Sequence, residues 1–209
     1  MSAPTANAFE YGLHTLQYAY DTRSTGIVFR SDGNNAPATY YDASFNPDPT
    51  DGKSQYGFST HMFGGPITWV SKKLKHVGTH VGANETMAQT WGAKHSGWVY
   101  YLLQELKMTP QNPIDLFGDN DQTNRLGQEH MMTSCNRYYW PMYYYTKEQH
   151  GVTVNCERVD TADNQSDLLT KAVDKPTLDR LLQRLTGHTG MEGNLPLFDL
   201  QNFSYEAAG

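Results

Sequence analysis

The chain has 209 residues and a formal net charge of −6, which argues against the global basic field that many nucleic-acid-binding domains carry. No stretch reaches the roughly 18 apolar residues needed to span a bilayer, and residues 1–10 lack the pattern of a secretory signal. The two cysteines show no CxxC spacing, which excludes a disulfide framework and a zinc knuckle, so we expect an intracellular protein, cytoplasmic or nuclear.

The first elements predicted along the chain are strands that precede a long helix. Alternating aromatic residues predict a strand over 39–45, with Tyr40, Asp42 and Ser44 on one face. The other predicted elements of this part, in chain order, are a disordered leader at 1–10, a short helix before residue 25, a strand at 27–30, a hairpin formed by 54–63 and 66–73, and a third short strand at 76–82.

Helices and strands alternate in the second half of the chain. Apolar residues at helical spacing predict a long helix with Asn84 as its N-cap. Pro141 is tolerated only in the first turn of a helix, so the helix of the aromatic block is predicted to begin at about Trp140. The remaining predicted elements are a strand ending at Asp119, a polar helix at 120–128, a strand at 152–159 and a helix at 175–185. This order predicts an α/β architecture with one mixed sheet.

Four carboxylates occupy comparable positions in these elements. Asp42 lies within the first aromatic strand, Glu85 in the first turn of the long helix, Asp119 at a strand end and Asp167 at the start of the last helical region. The last three have simpler interpretations: a helix-dipole partner, a helix N-cap and a solvated side chain. Asp42 is harder to explain, because a carboxylate in an aromatic strand is costly unless it is paired or ligated.

Carboxylates that converge on one edge of a sheet repel each other unless a cation neutralises them. Hard divalent cations bound by oxygen are the usual solution in proteins. Two Mg²⁺ ions roughly 4 Å apart clamp the attacking and leaving oxygens of a phosphodiester. The spacing of the four acids is therefore compatible with a metal site but does not by itself establish one.

Several segments resemble the RNase H domain at the C-terminal end of the reverse transcriptase in Ty1/copia-type LTR retrotransposons. The sequence "YYDASFNPDPTDGKSQYGF" is similar to the strand and loop that carry the first Asp, and "GGPITWVSKKLKHVGTHVGANETMA" to the hairpin leading into the Glu-bearing helix. "LFGDN" and "DNQSDLLTK" resemble the segments of the third and fourth acids. Upstream, "LQYAYDTRSTGIVF" is similar to the end of the connection region. The resemblance covers about residues 13–186.

The resemblance implies a fold and a domain organisation. The fold is RNase H-like, with a mixed central sheet of about five strands, the first three antiparallel, flanked by helices. The implied organisation is a leader and connection-region remnant at 1–38, an RNase H-like domain at 39–186 and a C-terminal tail at 187–209.

The resemblance also implies an activity, a ribonuclease H that hydrolyses the RNA strand of RNA–DNA hybrids and leaves 5′-phosphate and 3′-hydroxyl ends. Asp42, Glu85, Asp119 and Asp167 are the implied catalytic and metal-binding residues for two Mg²⁺ ions, with Mn²⁺ as a substitute. Asp42 would bridge both ions, Glu85 and Asp119 would complete one site and Asp167 the other. The expected partners are an RNA–DNA hybrid and the polymerase domain or a larger assembly, and not a membrane.

Substrate contacts are predicted from chemistry, because a hybrid duplex is recognised by its shape, 2′-hydroxyls and phosphates. Three lysines form a local positive cluster for phosphates, or else a solvated hairpin edge that resists aggregation. Asn120 either touches the substrate backbone or caps the following helix. The predicted substrate-binding residues are Ser54, Gln55, Lys72, Lys73, Lys75, Asn84 and Asn120.

The chain departs from the family before its penultimate helix. Where the family has a basic segment with histidines, this sequence has "SCNRYYWPMYYY". Loss of a proton-transferring histidine costs roughly 10²–10⁴-fold in rate but leaves the metal site intact. The Tyr-rich stretch 138–145 is interpreted as core packing, a stacking surface or a docking face. The departure supports an alternative function, a catalytically retired RNase H-like domain acting as an interaction or structural subunit, whereas the four retained acids argue against it. An exonuclease or integrase core is a third, weaker alternative.

Overall fold

The computed structural model describes residues 5–30, 36–45, 50–78, 80–129 and 139–188. The chain divides into two compact units, Met1–Ile27 with Gly190–Gly209, and Val28–Thr189. In the first unit, helix α1 (Ala6–Asp21) begins after Thr5, whose hydroxyl accepts a hydrogen bond from the Ala8 amide. Because α1 starts at Ala6, the prediction of a disordered leader over 1–10 is wrong for its second half. The predicted domain boundaries at 38 and 186 stay predictions.

The second unit contains one mixed five-stranded sheet. Its strands are β1 (Ala38–Ala43), β2 (Gln55–Met62), β3 (Gly65–Lys73), β4 (Ile114–Gly118) and β5 (Val154–Arg158), in the spatial order β3-β2-β1-β4-β5. The pairs β1–β2 and β2–β3 are antiparallel, whereas the pairs β1–β4 and β4–β5 are parallel. The α/β class and the mixed sheet with three antiparallel first strands are therefore confirmed.

Helices flank this sheet. They are α2 (Val81–Glu105), α3 (Asp121–Gln128), α4 (Trp140–Gln149) and α5 (Lys175–Thr186), together with two short 3-10 helices, Thr161–Asp163 and Gln165–Leu169. Helix α4 begins at Trp140 with Pro141 in its first turn, as predicted. None of these helices, and no other helix in the described part of the chain, combines the length and hydropathy needed to cross a bilayer.

The start of α2 differs from the prediction. His80 is the N-cap, because its Nδ1 accepts a hydrogen bond of 3.2 Å from the amide of Ala83. The predicted N-cap at Asn84 is therefore wrong, and Glu85 lies in the second turn. The described residues of 76–82 form no strand, and neither do residues 27–30, where single backbone hydrogen bonds join Val28 to Thr186 and Arg30 to Phe63.

The core lies between α2 and the sheet. It is built mainly from Tyr41, Phe58, Met87, Leu116, Val154 and Cys156. Gly92 allows the helix to approach, since a Cβ there would lie 3.0 Å from the Leu116 side chain. This close contact accounts for a glycine in the middle of a long helix, where it otherwise costs about 1 kcal/mol. Cys156 is a buried free thiol, and Cys135 lies outside the described residues.

Candidate metal centre

Three of the predicted acids meet at one edge of the sheet. Asp42, Glu85 and Asp119 each present a carboxylate oxygen, and these oxygens all lie within 4.8 Å of one another. Strands β1 and β4 are parallel neighbours paired through Tyr40 and Phe117. Two residues after this pair come Asp42, still within β1, and Asp119, directly after the end of β4. The carboxyl ends of parallel strands meet at the same edge, which explains how acids far apart in sequence converge here.

Asp167 reaches the same place from the 3-10 helix Gln165–Leu169. The ammonium of Lys171 lies 3.0 Å from Asp167 Oδ1 and 3.8 Å from Asp42 Oδ2, so one cation joins the fourth acid to the first. Asp167 is buried, which excludes its interpretation as a solvated side chain. The dipole interpretation of Glu85 also weakens, since α2 has no acidic residue in its first turn.

Side-chain hydrogen bonds hold the 3-10 helix against strand β1. Asn164 Nδ2 donates to the carbonyl of Tyr41 at 3.0 Å, and Ser166 Oγ donates to the carbonyl of Tyr40 at 2.8 Å. The hydroxyl of Thr170 donates to Asp42 Oδ2. Sequence reasoning assigned no role to these three residues, although all lie in or beside the "NQSDLLTK" segment that it selected for its acid.

The strand β2 also approaches this segment closely. Gly57 pairs with Asp42 across the sheet, and a Cβ at Gly57 would lie 2.4 Å from Cβ of Leu169. In the neighbouring strand, Ser71 Oγ donates a hydrogen bond of 2.6 Å to the carbonyl of Leu169. The "SKK" hairpin and the "DLLTK" segment, two motifs about 100 residues apart, are thus in direct contact.

The contact at Gly57 predicts a stability effect. We expect Gly57→Ala to lower the free energy of unfolding by about 1–3 kcal/mol, because the added methyl group collides with a packed side chain. Urea denaturation measures this change. The control is Gly26→Ala, because a Cβ at Gly26 has no neighbour within 4 Å. Equal unfolding midpoints for the two variants would show that the 3-10 helix does not press on β2.

The electrostatics of the cluster favour a bound cation. Burial, followed by the charges of Asp42 and Asp119, raises the pKa of Glu85 well above its ordinary value. Glu85 Oε2 is buried and has no hydrogen-bond partner among the described residues. Carboxylate oxygens are the ligands that hard divalent cations prefer, and such a cation would offset both the repulsion and the missing partner. The cluster is therefore compatible with divalent metal binding.

Asp167 makes the folding stability of the metal-free protein depend on pH. Burial and the neighbouring charge of Asp42 raise its pKa to about 6, from an ordinary 3.8. The folded state then binds more protons than the unfolded state between about pH 4 and pH 6, so stability falls as pH rises through this window. In EDTA, we expect acidification from about pH 7 to about pH 5 to raise the melting temperature more for the wild type than for Asp167→Asn. Identical pH profiles for the two proteins would contradict this linkage.

The predicted hydrogen-bonding residues lie in three different environments. Asn84 and Ser54 are buried, and their contact with a substrate stays a prediction. Asn84 Nδ2 instead donates to the carbonyl of Ser44 at 3.3 Å. Gln55 is partly exposed and donates to Ser71 Oγ, whereas Asn120 Oδ1 accepts from the Thr123 amide as the N-cap of α3.

The predicted phosphate-binding lysines lie at and after the end of strand β3. This strand is at the edge of the sheet, and the side chains of Lys72 and Lys75 are exposed. Lys73 forms an ion pair of 3.4 Å with Asp51. Lys72 and Lys75 are thus exposed at and after the end of this edge strand, and the role of the three lysines in phosphate binding stays a prediction.

Part of the Tyr-rich stretch packs into the fold. Tyr143 is buried and its hydroxyl donates to the carbonyl of Glu129, which agrees with the core-packing interpretation for this residue. Trp140 and Tyr144 stack with ring centroids 5.5 Å apart and are only partly buried. Residues 134–138, the first part of the segment that replaces the family's histidines, lie outside the described residues.

Comparison with known proteins finds similarity to transposon proteins. No family model matches the chain. The retrovirus-related Pol polyprotein of transposon RE1 from Arabidopsis thaliana is 23% identical over 186 residues, which are 88% of this chain and 13% of that protein. A putative transposon Ty5-1 protein of Saccharomyces cerevisiae is 39% identical over 74 residues, 35% of this chain and 24% of that protein. The chain thus spans a quarter or less of these relatives.

The solved structures that are similar to the chain include RNase H proteins. One is LC11-RNase H1, isolated from compost, in complex with an RNA/DNA hybrid. It is 12% identical, has a TM-score of 0.47, and the match covers 64% of this chain and 93% of that one.

Proposed function

We propose that this chain, whose homologues are retrovirus-related Pol polyproteins of transposons, is a metal-dependent endonuclease that hydrolyses the RNA strand of RNA–DNA hybrids. The observation that carries the proposal is the convergence of Asp42, Glu85 and Asp119 within 4.8 Å, with Asp167 tied to Asp42 through Lys171. These four acids would hold two Mg²⁺ ions, or Mn²⁺ in their place. The products would carry 5′-phosphate and 3′-hydroxyl ends.

Asp42 is the acid shared by both halves of the site. On one side its carboxylate lies within reach of Glu85 and Asp119, and on the other it faces Lys171 and Asp167. The Thr170 hydroxyl donates to Asp42 Oδ2, which fixes the orientation of this carboxylate. We therefore propose that Asp42 bridges the two cations, that Glu85 and Asp119 complete one position, and that Asp167 completes the other.

The protein scaffold supplies position and charge. When bound, the cations would activate a water nucleophile and stabilise the charge that develops on the phosphate. Asp42 lies on a central strand and Asp119 directly after one, so their carboxylates are held by rigid elements. Glu85 is only 5% exposed, so its carboxylate is largely shielded from bulk water. The site is thus preorganised before any ligand arrives.

The phosphate backbone of the substrate would contact the C-terminal end of strand β3 and the residues that follow it. Lys72 and Lys75 are exposed there and match the negative charge of phosphates. The net charge of −6 predicts that this chain alone binds a hybrid weakly. We therefore propose that the polymerase region of a longer Pol-type protein provides most of the affinity for the hybrid.

The function is tested with the purified chain, an RNA–DNA hybrid labelled on each strand in turn, and Mg²⁺ or Mn²⁺. We expect cleavage of the RNA strand alone, dependence on the metal, and products that a 5′-phosphate-dependent exonuclease degrades. Duplex DNA of the same sequence serves as the control substrate. A hybrid that stays intact under every metal condition would support the retired subunit instead.

A further inference from the structure

Lys171 lies where two of the four acids face each other. Its ammonium is 3.0 Å from Asp167 Oδ1 and 3.8 Å from Asp42 Oδ2. The carboxylates of Asp42 and Asp167 are only 3% and 7% exposed, whereas the side chain of Lys171 is 41% exposed. The two acids are therefore fixed and buried, and the cation that neutralises them is at the end of a long side chain open to solvent.

The ammonium is held there as a charged group. Burial alone would lower the pKa of Lys171, but the charges of Asp42, Asp167 and Asp119 outweigh this and raise it. Lys171 follows the C-terminal end of the 3-10 helix that carries Asp167, so the short connection keeps its ammonium beside this carboxylate. Thr170 meanwhile donates to the same Asp42 oxygen that Lys171 faces. Both residues of this "TK" pair thus act on the acid that the proposed function assigns as the bridging ligand.

We propose that Lys171 is a built-in counter-cation, which occupies the metal position between Asp42 and Asp167 in the metal-free protein and is displaced when a divalent cation binds. The proposal rests on the proposed function for the metal position itself. A divalent cation there needs the same carboxylate oxygens, and two cations sharing them repel each other. Lys171 can leave, because its flexible stem and partial exposure allow the ammonium to move into water.

A variant that lacks the Lys171 charge should differ from the wild type in two ways, in its stability without metal and in its affinity for metal. In the absence of metal, the buried carboxylates lose their partner, so the fold becomes less stable. In the presence of metal, the cation no longer competes with an ammonium, so it binds at lower concentration. A lysine with a purely structural role would produce the first effect without the second.

The test is a thermal-unfolding titration of the full chain with Mg²⁺, without any nucleic acid. In EDTA, Lys171→Gln is expected to lower the melting temperature by about 2–8 °C. The Mg²⁺ concentration that gives half of the maximal stabilisation is expected to fall about 3- to 10-fold. Lys171→Arg should keep the stability in EDTA. The matched control is Lys53→Gln, which removes a positive charge from a partly exposed ion pair with Asp51.

Each outcome decides the matter. Equal Mg²⁺ midpoints for the wild type and Lys171→Gln would overturn the proposal. A Lys171→Gln protein that is unfolded in EDTA but folds in Mg²⁺ would support it, whereas one that is unfolded in both would overturn it. If Mg²⁺ and Mn²⁺ stabilise neither protein, the proposed metal-dependent function and the displacement both fail. If the metals bind with the expected shift but no hybrid is cleaved, the counter-cation stands and the proposed function fails alone.

Discussion

Asp42→Asn is expected to reduce hydrolysis of the RNA strand by at least about 10²–10³-fold, the loss typical of removing one preorganised electrostatic group from an active site. Asn has nearly the same shape, so it keeps the packing of β1 and a side-chain oxygen that accepts from Thr170. It lacks the negative charge that a bridging metal ligand needs. The loss should therefore appear in catalysis and in metal binding while the fold persists.

The measurement is the initial rate of RNA-strand cleavage in Mg²⁺, with circular dichroism and thermal unfolding as checks on the fold. Asp121→Asn is the matched control, because Asp121 follows Asp119 by two residues but is exposed and paired with Arg158. This control should retain nearly the wild-type rate. Equal losses in the two variants, or no loss in Asp42→Asn, would contradict the assignment of Asp42.

Glu85→Gln is expected to stabilise the metal-free protein by about 1–3 kcal/mol while abolishing its metal-dependent activity. The carboxylate of Glu85 is buried beside Asp42 and Asp119, and one of its oxygens lacks a hydrogen-bond partner among the described residues. A neutral amide removes the repulsion and adds a donor for the neighbouring acids. Residues that serve a function at a cost to stability behave in this way.

Urea denaturation in EDTA measures the stability change, and the hybrid assay measures the activity. The control is Glu105→Gln, the same substitution at the exposed C-terminal end of the same helix. It should change neither quantity appreciably. A Glu85→Gln protein that is less stable than the wild type in EDTA would show that the acids are not in electrostatic conflict.

Local patterns predicted the α/β order and the mixed sheet, whereas the set of four acids was implied by the family resemblance. The alternation of aromatic residues predicted strand β1, with Asp42 on the same face as Tyr40 and Ser44. The position of Pro141 predicted the start of helix α4. The start of α2 was missed, because His80 is an uncommon N-cap and Asn84 is a favoured residue type. Propensity ranks residue types, whereas the cap that forms depends on the geometry of the preceding turn.

The supporting contacts of the site were beyond local patterns. Asn164, Ser166 and Thr170 act on β1 across more than 120 residues of chain, and only the folded topology brings them there. Burial of Ser54 and Asn84 was likewise unpredictable, because a polar residue in a turn or helix is usually exposed. The motif around Asp167 correctly identified the segment that reaches the site. The Thr and Lys at the end of this motif were not predicted to contact Asp42, although they do.

Anomalous diffraction from crystals of the chain soaked in Mn²⁺ tests the metal centre most directly. We expect one Mn²⁺ peak coordinated by Asp42, Glu85 and Asp119, and a second between Asp42 and Asp167, with the ammonium of Lys171 turned away from it. Ordered Mn²⁺ elsewhere on the protein, with none within coordination distance of the Asp42 carboxylate, would contradict it.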